Sequence, residues 1–321
     1  HWPLTTKTMD ALLAVLAALV VVGLACAIWG IFIERQLFVV RRDSVRVLPA
    51  GSRPIHVLHV SDIHMAPWQG RKQRWLAAKI DELVARGEVD LVVNTGDNLG
   101  HERGISPVLT ALAGALGKPG VFVNGSNDYF APVLRNPLAY LKAPSQRGKS
   151  EQLATDNLIE GFESAGWLNL NNRGGVLEVN GTSIGFIGVD DAHDGLAKLE
   201  TLPGQAATNQ TAAHNSGEPP ALTIGVSHAP YLNVVRSMVD AGANLVFAGH
   251  THGGQVAIPG YGALVTNCDL PPRYAKGLSA WSSESGNSAI LNVSAGLGHS
   301  IYAPVRFAVR PELRVLTLLP E

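Results

Sequence analysis

The run Gly249-His250-Thr251-His252-Gly253-Gly254-Gln255 decides how the rest of this chain is read. It follows the apolar run Asn244 to Ala248, so two histidines stand one residue apart at the mouth of an expected strand. Asp62-Ile63-His64 repeats the arrangement after His56 to Val60, and Gly96-Asp97 follows the run Val89 to Asn94. Side chains at i and i+2 of a strand end project the same way, so each pair can grip one ion. Carboxylates and imidazoles suit borderline divalent cations such as Mn²⁺, Fe²⁺ and Zn²⁺, and a carboxylate such as Asp97 can bridge two of them. The constellation reads as a dinuclear metal site for phosphoryl chemistry.

Outward from these blocks, strands and helices alternate. Helices are expected at Lys72 to Arg86, Ser106 to Leu116, Asn157 to Ala165 and Tyr231 to Ala241. Further strands are expected at Gly120 to Asn124, Leu222 to Ser227, Ile290 to Val293 and Arg314 to Leu318. A hairpin joins Val176–Val179 to Ser183–Val189 through the turn Asn180-Gly181. Gly204 to Pro220 is small, polar and without an apolar period, which predicts a surface loop. Ligand candidates at strand C-termini are where open α/β sheets place their sites.

The whole chain sets wider bounds. Its 321 residues, 46% hydrophobic and 16% charged, suffice for one large domain plus an appendage. A formal net charge of -1 argues against nucleic acid as the main partner, because duplex binding needs a basic footprint. Two cysteines, Cys26 and Cys268, make no disulfide framework.

Ala11 to Ile33 is an unbroken uncharged run of about 23 residues, enough to cross a bilayer as a helix. The chain begins with His1, so residues 1–10 are read as an extension. Its first eight positions are expected to be foreign and Met9 the natural start. Residues 34–53 read as a juxtamembrane strand and linker, and 54–321 as the catalytic domain. Arg35, Arg41, Arg42 and Arg46 follow the apolar run while only Lys7 precedes it. The positive-inside rule then puts the domain on the cytoplasmic side of a single-pass anchor in the cell membrane. A linker of about twenty residues, even extended, keeps the domain within roughly 70 Å of the bilayer.

Asp62-Ile63-His64, Gly96-Asp97-Asn98, Gly125-Ser126-Asn127-Asp128, Ser227-His228 and Gly249-His250-Thr251-His252 resemble, in order, the five blocks of the calcineurin-like metallophosphoesterases. Gly253-Gly254-Gln255 resembles the membrane-associated bacterial phosphodiesterase branch. The resemblance spans residues 55 to 320 or so. It implies a four-layer α/β/β/α sandwich of two mixed sheets, here preceded by one transmembrane helix. It also implies two divalent ions, Mn²⁺ first and Fe, Zn or Mg as alternatives. Asp62, His64 and His252 would hold one ion, His228 and His250 the other, and Asp97 would bridge. Such a pair clamps an in-line displacement and generates a bridging hydroxide as nucleophile.

The third block departs from the family's Gly-Asn-His-Asp or Gly-Asn-His-Glu. Ser126 and Asn127 stand where a metal-ligating asparagine and a leaving-group histidine are usual. Either Ser126 coordinates through its hydroxyl or the loop shifts and Asn127 supplies an amide oxygen, which is the better donor. Asp128 keeps its place and is expected to orient an imidazole. His101 is the nearest substitute in sequence for the lost histidine as general acid.

Other stretches carry weaker signals. Trp68, Arg71, Lys72, Arg74 and Trp75 read either as an exposed helix start or as a basic, aromatic lip touching headgroups or substrate phosphate. Asp190-Asp191-Ala192-His193-Asp194 reads as a turn lining the substrate cleft. Asn209-Gln210-Thr211 has the spacing of a glycosylation acceptor, with nothing else in the chain to support that use. The leading expectation is a membrane-anchored phosphodiesterase or pyrophosphatase whose partners are the lipid bilayer and a lipid-linked or envelope-related phosphate substrate. A tethered phosphatase or nucleotidase for soluble substrates, and a catalytically weakened metal-containing binding protein, remain open beside it.

Overall fold

The computed structural model describes residues 6–133, 150–211, 219–283, 285–299 and 301–321. Helix α1 (Thr6–Ile28) runs on through a wide turn at Trp29–Ile33 and a tight one at Glu34–Gln36. No residue of α1 is buried, so its leucines and valines are bare on every side. An uncovered helix that is apolar all round has the length and surface to span a membrane.

The first half of the domain comprises β1 (Val39–Leu48), β2 (Ile55–Val60), α2 (Gly70–Ala85), β3 (Leu91–Asn94), α3 (Ile105–Leu116), β4 (Gly120–Phe122), the single-turn α4 (Ser126–Tyr129), α5 (Thr155–Ser164) and β5 (Leu168–Asn169). The second half comprises β6 (Gly174–Val179), β7 (Thr182–Gly188), α6 (Leu202–Thr211), β8 (Leu222–Val226), α7 (Leu232–Asp240), β9 (Leu245–Ala248), the short ribbon β10 (Ala257–Ile258) and β11 (Gly262–Ala263), then β12 (Gly277–Ser282) and β13 (Ser288–Val293). The last strand, β14 (Glu312–Pro320), returns to the first half.

Two six-stranded mixed sheets result, ordered β1-β14-β2-β3-β4-β5 and β12-β13-β9-β8-β7-β6. Between them Val57, Leu91, Val93 and Val121 meet Ile184, Phe186, Ile224 and Phe247. On the outer face of the first sheet, Leu58, Val60 and Phe122 pack on Leu76, Ile80, Leu112 and Phe162 of α2, α3 and α5. On the outer face of the second, Ile187, Val246 and Val293 pack on Leu202, Val235 and Met238 of α6 and α7. This is the expected α/β/β/α sandwich.

Two stretches differ from the sequence reading. Helix α6 occupies the first part of the expected loop Gly204 to Pro220, whose residues 212–218 lie outside the described residues. It lacks an apolar stripe because amides fasten it instead. Gln205 bridges the N–H and C=O of Gly188 at 2.9 and 3.1 Å, and Asn209 Nδ2 donates to Phe186 O at 2.7 Å. The second stretch is the linker, whose expected strand is part of the domain: β1 forms a parallel edge strand against β14, with Val39 opposite Glu312 and Val45 opposite Leu318.

The end of the apolar helix is docked as well. Arg306 N–H donates to Gly30 O at 3.1 Å, and Ala308 N–H donates to Glu34 Oε2 at 3.0 Å. Trp29 Nε1 donates to the same Glu34 oxygen at 2.8 Å. A Cβ on Gly30 would stand 3.0 Å from the Arg306 carbonyl oxygen, so glycine permits this approach.

Candidate metal centre

Parallel strands β2 and β3, and β8 and β9, end at one edge of the sandwich. The residues beyond those ends are Asp62 and His64, Asp97, His228, and His250 and His252. Five of these six adopt positive φ: Asp62 48°, His64 43°, Asp97 53°, His250 67° and His252 50°. Left-handed backbone at a non-glycine residue costs of order 1–3 kcal/mol and is held only by its surroundings. The surroundings here are the loops of the facing sheet. His250 N–H donates to both Asp62 carboxylate oxygens at 3.1 and 3.0 Å, tying the second sheet to the first. Gly249 makes this possible, since a Cβ there would collide with Ser61 Oγ and Asp62 Oδ2.

The ligand atoms converge in two overlapping sets. Those of Asp62, His64 and His252 lie within 4.8 Å of one another, as do those of Asp62, Asp97 and His228. Asp97 Oδ2 stands between the sets, 3.4 Å from His64 Nε2 and 3.5 Å from His228 Nε2. His250 Nδ1 lies 3.3 Å from His228 Nε2, and His64 Nε2 lies 3.2 Å from His252 Nε2.

The ring nitrogens that point away from the centre report which ones face it as lone pairs. His228 Nδ1 lies 2.8 Å from Thr95 O and His250 Nε2 lies 3.2 Å from Asn267 O. A carbonyl only accepts, so both of those nitrogens carry the proton. His228 Nε2 and His250 Nδ1 therefore confront one another as lone pairs when both rings are neutral. Lone pairs converging beside two buried carboxylates fit divalent cations, and the donor set of nitrogen and oxygen suits Mn²⁺, Fe or Zn.

The charges point the same way. Burial pushes His64 down to about 4 and His250 and His252 well below their ordinary value. Burial lifts Asp62 to about 6. Burial alone would raise Asp97, but His228 and His64 hold it well below the usual carboxylate range. Burial opposes protonation of His228, yet Asp97, then Asp62 and Asp191, carry it well above the usual value. These buried carboxylates call for positive charge at the spot where a cation would sit.

Supporting contacts surround the ligands. A chain of short polar contacts runs from Asn292 through His59, Thr95 Oγ1 and Ser61 Oγ to Asp62, at 3.3, 3.0, 2.7 and 2.5 Å. In the third block, Asn127 N–H donates to Asp97 Oδ1 at 2.8 Å and its Nδ2 lies 2.7 Å from Asp97 Oδ2. Rotating that carboxamide by half a turn exchanges its nitrogen and oxygen. Ser126 is buried at the start of α4, and no hydrogen bond ties its side chain to Asp97. Asp128 does not orient an imidazole. Its oxygens accept from the N–H groups of Asn98, Leu99 and Gly125 at 2.8, 3.2 and 3.0 Å, fixing the loop that follows Asp97.

His101 is in neither set of converging ligand atoms. Its Nδ1 accepts from Arg103 N–H at 3.1 Å, and its ring meets Trp68 edge-on at 5.0 Å between centroids. Asp191 accepts from the N–H groups of His193 and Asp194, the turn read from sequence. That turn brings the His193 ring within 4.7 Å of His250 and its Nδ1 within 2.9 Å of the Tyr231 hydroxyl. Of the basic stretch, Trp68, Arg71 and Arg74 are exposed. Trp75 turns inward onto Phe38 at 5.2 Å, and the Lys72 amine is buried, donating to Ile63 O and to His64 O (3.1 Å for the latter).

One residue has no counterpart in the sequence reading. Arg306 is fully buried and donates to the carbonyls of His252, Ala295, Gly296 and Gly298. Its Nη2 also lies 3.3 Å from His252 Nδ1. No pattern around position 306 announces it, because its partners are backbone carbonyls, which carry no side-chain signal.

The family model for calcineurin-like phosphoesterases matches residues 55–254, a span that holds every ligand above. The chain belongs to the calcineurin-like phosphoesterase family. The phosphoesterase is also 39% identical over 79 residues to the uncharacterized metallophosphoesterase YkuE of Bacillus subtilis, a match covering 25% of each chain. Among solved structures it resembles TT1561 of Thermus thermophilus at 12% identity and a TM-score of 0.44, over 76% of this chain and 91% of that one. It also resembles the purple acid phosphatase PPD1 of yellow lupin at 13% identity and a TM-score of 0.36, over 64% and 39% of the two chains.

Proposed function

We propose that this phosphoesterase is a membrane-anchored, two-metal enzyme that hydrolyses a phosphodiester or pyrophosphate bond of a lipid-linked or envelope-related substrate. The observation that carries the reading is the convergence of ligand atoms, with His228 Nε2 3.3 Å from His250 Nδ1 and 3.5 Å from the Asp97 carboxylate that also faces His64. Asp62, His64 and His252 would hold one cation. His228 and His250, with the Asn127 amide oxygen, would hold the other, and Asp97 would face both. When bound, two divalent ions supply Lewis acidity toward a phosphoryl oxygen and lower the pKa of water. The chain's own part is to hold the ligands in place. Thr95 and Asn267 fix two imidazole tautomers, and Asp128 sets the Asp97 loop.

The membrane assignment draws on α1 and its docking. Arg306 bonds the backbone of Gly30 through its N–H and the backbone of His252 through its guanidinium, so one residue joins the apolar helix to a ligand loop. A centre held that close to a bilayer meets phosphates of lipid diesters and lipid-linked pyrophosphates first. The four arginines after the span favour the cytoplasmic face for the domain.

The test uses the full chain in detergent, stripped of metal and reloaded with Mn²⁺, with bis-p-nitrophenyl phosphate compared with p-nitrophenyl phosphate. Metal-dependent turnover favouring the diester is expected, with close to two ions per chain. Preference for the monoester would make it a tethered phosphatase. No metal-dependent turnover of either, with metal bound, would make it a binding protein.

A further inference from the structure

A cavity of about 360 Å³ opens where the end of the apolar helix meets the domain. Its walls come from Arg35 and Phe38 after the helix, from Trp68, Arg71 and Lys72 around the start of α2, and from His299. None of the metal-ligand candidates lines it, and no carboxylate does. Lys72 of the cavity wall donates to the Ile63 and His64 carbonyls, whereas the His64 side chain belongs to the metal centre.

We propose that this cavity is a second phosphate site, built to hold the headgroup of an anionic phospholipid in the leaflet that α1 enters. The proposal rests on the membrane-spanning reading of α1 and not on the hydrolytic one.

Three observations carry it. The first is unspent positive charge. Arg35 Nε is buried without a hydrogen-bond partner, while its Nη1 lies 3.2 Å from His299 Nε2. Arg71 is exposed at the rim and forms no ion pair among the described residues. A guanidinium left without an anion beside a pocket is suited to a phosphate, which it can grip through two N–H groups. The second is depth. The helical span runs without a break from Thr6 to Gln36. At a rise of about 1.5 Å per residue, Ala11 to Ile33 crosses a hydrocarbon core of about 30 Å, and Arg35 emerges at headgroup level. Trp29 and Phe32, both exposed, sit just before that level, where aromatic side chains favour the interface. The third is the mixed lining. Phe38, Leu297 and Ile301 give the cavity an apolar wall beside its basic one, as a glycerophosphate with attached chains requires. Its volume lies in the range of small-molecule sites.

The experiment titrates the Mn²⁺-loaded full chain in detergent with short-chain phosphatidylglycerol, short-chain phosphatidylcholine or inorganic phosphate, and reads bound copies by native mass spectrometry. One phosphatidylglycerol per chain should bind, with phosphatidylcholine and inorganic phosphate weaker. Arg71→Ala, a surface change without folding consequence, should weaken it about fivefold, and Arg35→Ala with Arg71→Ala about 25-fold. Unchanged binding in both variants, or equal binding of phosphatidylcholine, overturns the proposal. Inorganic phosphate binding as tightly as the lipid overturns its lipid half and leaves a soluble-phosphate site. Turnover of the soluble diester by the wild-type chain is scored separately, so failure of the hydrolase reading and failure of this one are distinct results.

Discussion

Replacing Arg306 with Met removes the guanidinium that holds the ligand loop of His252, while the backbone N–H at 306 can stay on Gly30 O. The guanidinium donates to four carbonyls, among them Ala295 O at 2.7 Å and His252 O at 3.1 Å. Hydrogen bonds from a charged donor are each worth about 1.5–3 kcal/mol, so the gross loss approaches ~6–12 kcal/mol. Against this, burying the guanidinium is costly, and its pKa is pushed down to about 10 by burial. Relief of that cost returns several kcal/mol. A net destabilisation of about 3–5 kcal/mol remains, because methionine fills the space but leaves the carbonyls unpaired. At roughly 2–4 °C per kcal/mol for a large domain, Tm should fall by about 6–20 °C. A structural role alone would stop there. A positioning role also predicts a drop of about 10–100-fold in affinity for one of the two Mn²⁺ ions, as for other groups that support a ligand. Isothermal titration well below the variant's Tm separates the two effects. Arg306→Lys should recover part of the stability and little of the metal affinity, since an ammonium cannot serve four diverging carbonyls. A variant that melts with wild type and binds both ions normally would refute the assignment.

Three further outcomes follow from the site. Asp97→Asn should leave at most one Mn²⁺ per chain and lower kcat by at least about 10³-fold, because the carboxylate facing both ligand sets loses its charge. Near-normal turnover would mean Asp97 does not bridge. Asn127→Ala should weaken metal occupancy more than Ser126→Ala, as measured by metal analysis after gel filtration; the reverse order would give the ligand role to the serine oxygen. His59 is buried and held at about 3 by burial and by Arg314, so the folded chain keeps it neutral where the unfolded chain, near 6.5, takes up a proton. Its contribution is full above pH 6.5 and is lost as pH falls toward 3, at about 1.4 kcal/mol per pH unit. Denaturant titrations of wild type and His59→Gln should therefore diverge in slope across that window; parallel lines would place the proton elsewhere.

Much of the site was legible because strand-end ligands advertise themselves as i and i+2 pairs after apolar runs. Asp62, His64, His250 and His252 needed no knowledge of the loops between them. Their left-handed backbone was not legible, since none of them is glycine and the strain is imposed by the opposite sheet. Lys72 illustrates a signal overlooked. It shares the buried face of α2 with Leu76, Ile80 and Leu83, a spacing of four, four and three that places it inward. Helix α6 was read as loop because Gln205 and Asn209 do the anchoring that apolar side chains usually do. The role of Arg306, the pairing of the linker strand with β14 and the docking of Gly30 depend on contacts between residues more than two hundred positions apart or on backbone carbonyls. Periodicity is blind to both.

The pairing of β1 with β14 has a mechanical consequence. Because the strands run parallel, tension applied through α1 loads their hydrogen bonds together, in shear, instead of opening them one by one from an end. With Gly30 and Glu34 also fastened, the joint has almost no swivel. Under the proposed anchoring and the proposed lipid-linked substrate, the catalytic edge keeps one height and one tilt over the leaflet, and substrate arrives by lateral diffusion into that gap. Inserting a flexible spacer between α1 and β1 would turn a search in two dimensions into one in three.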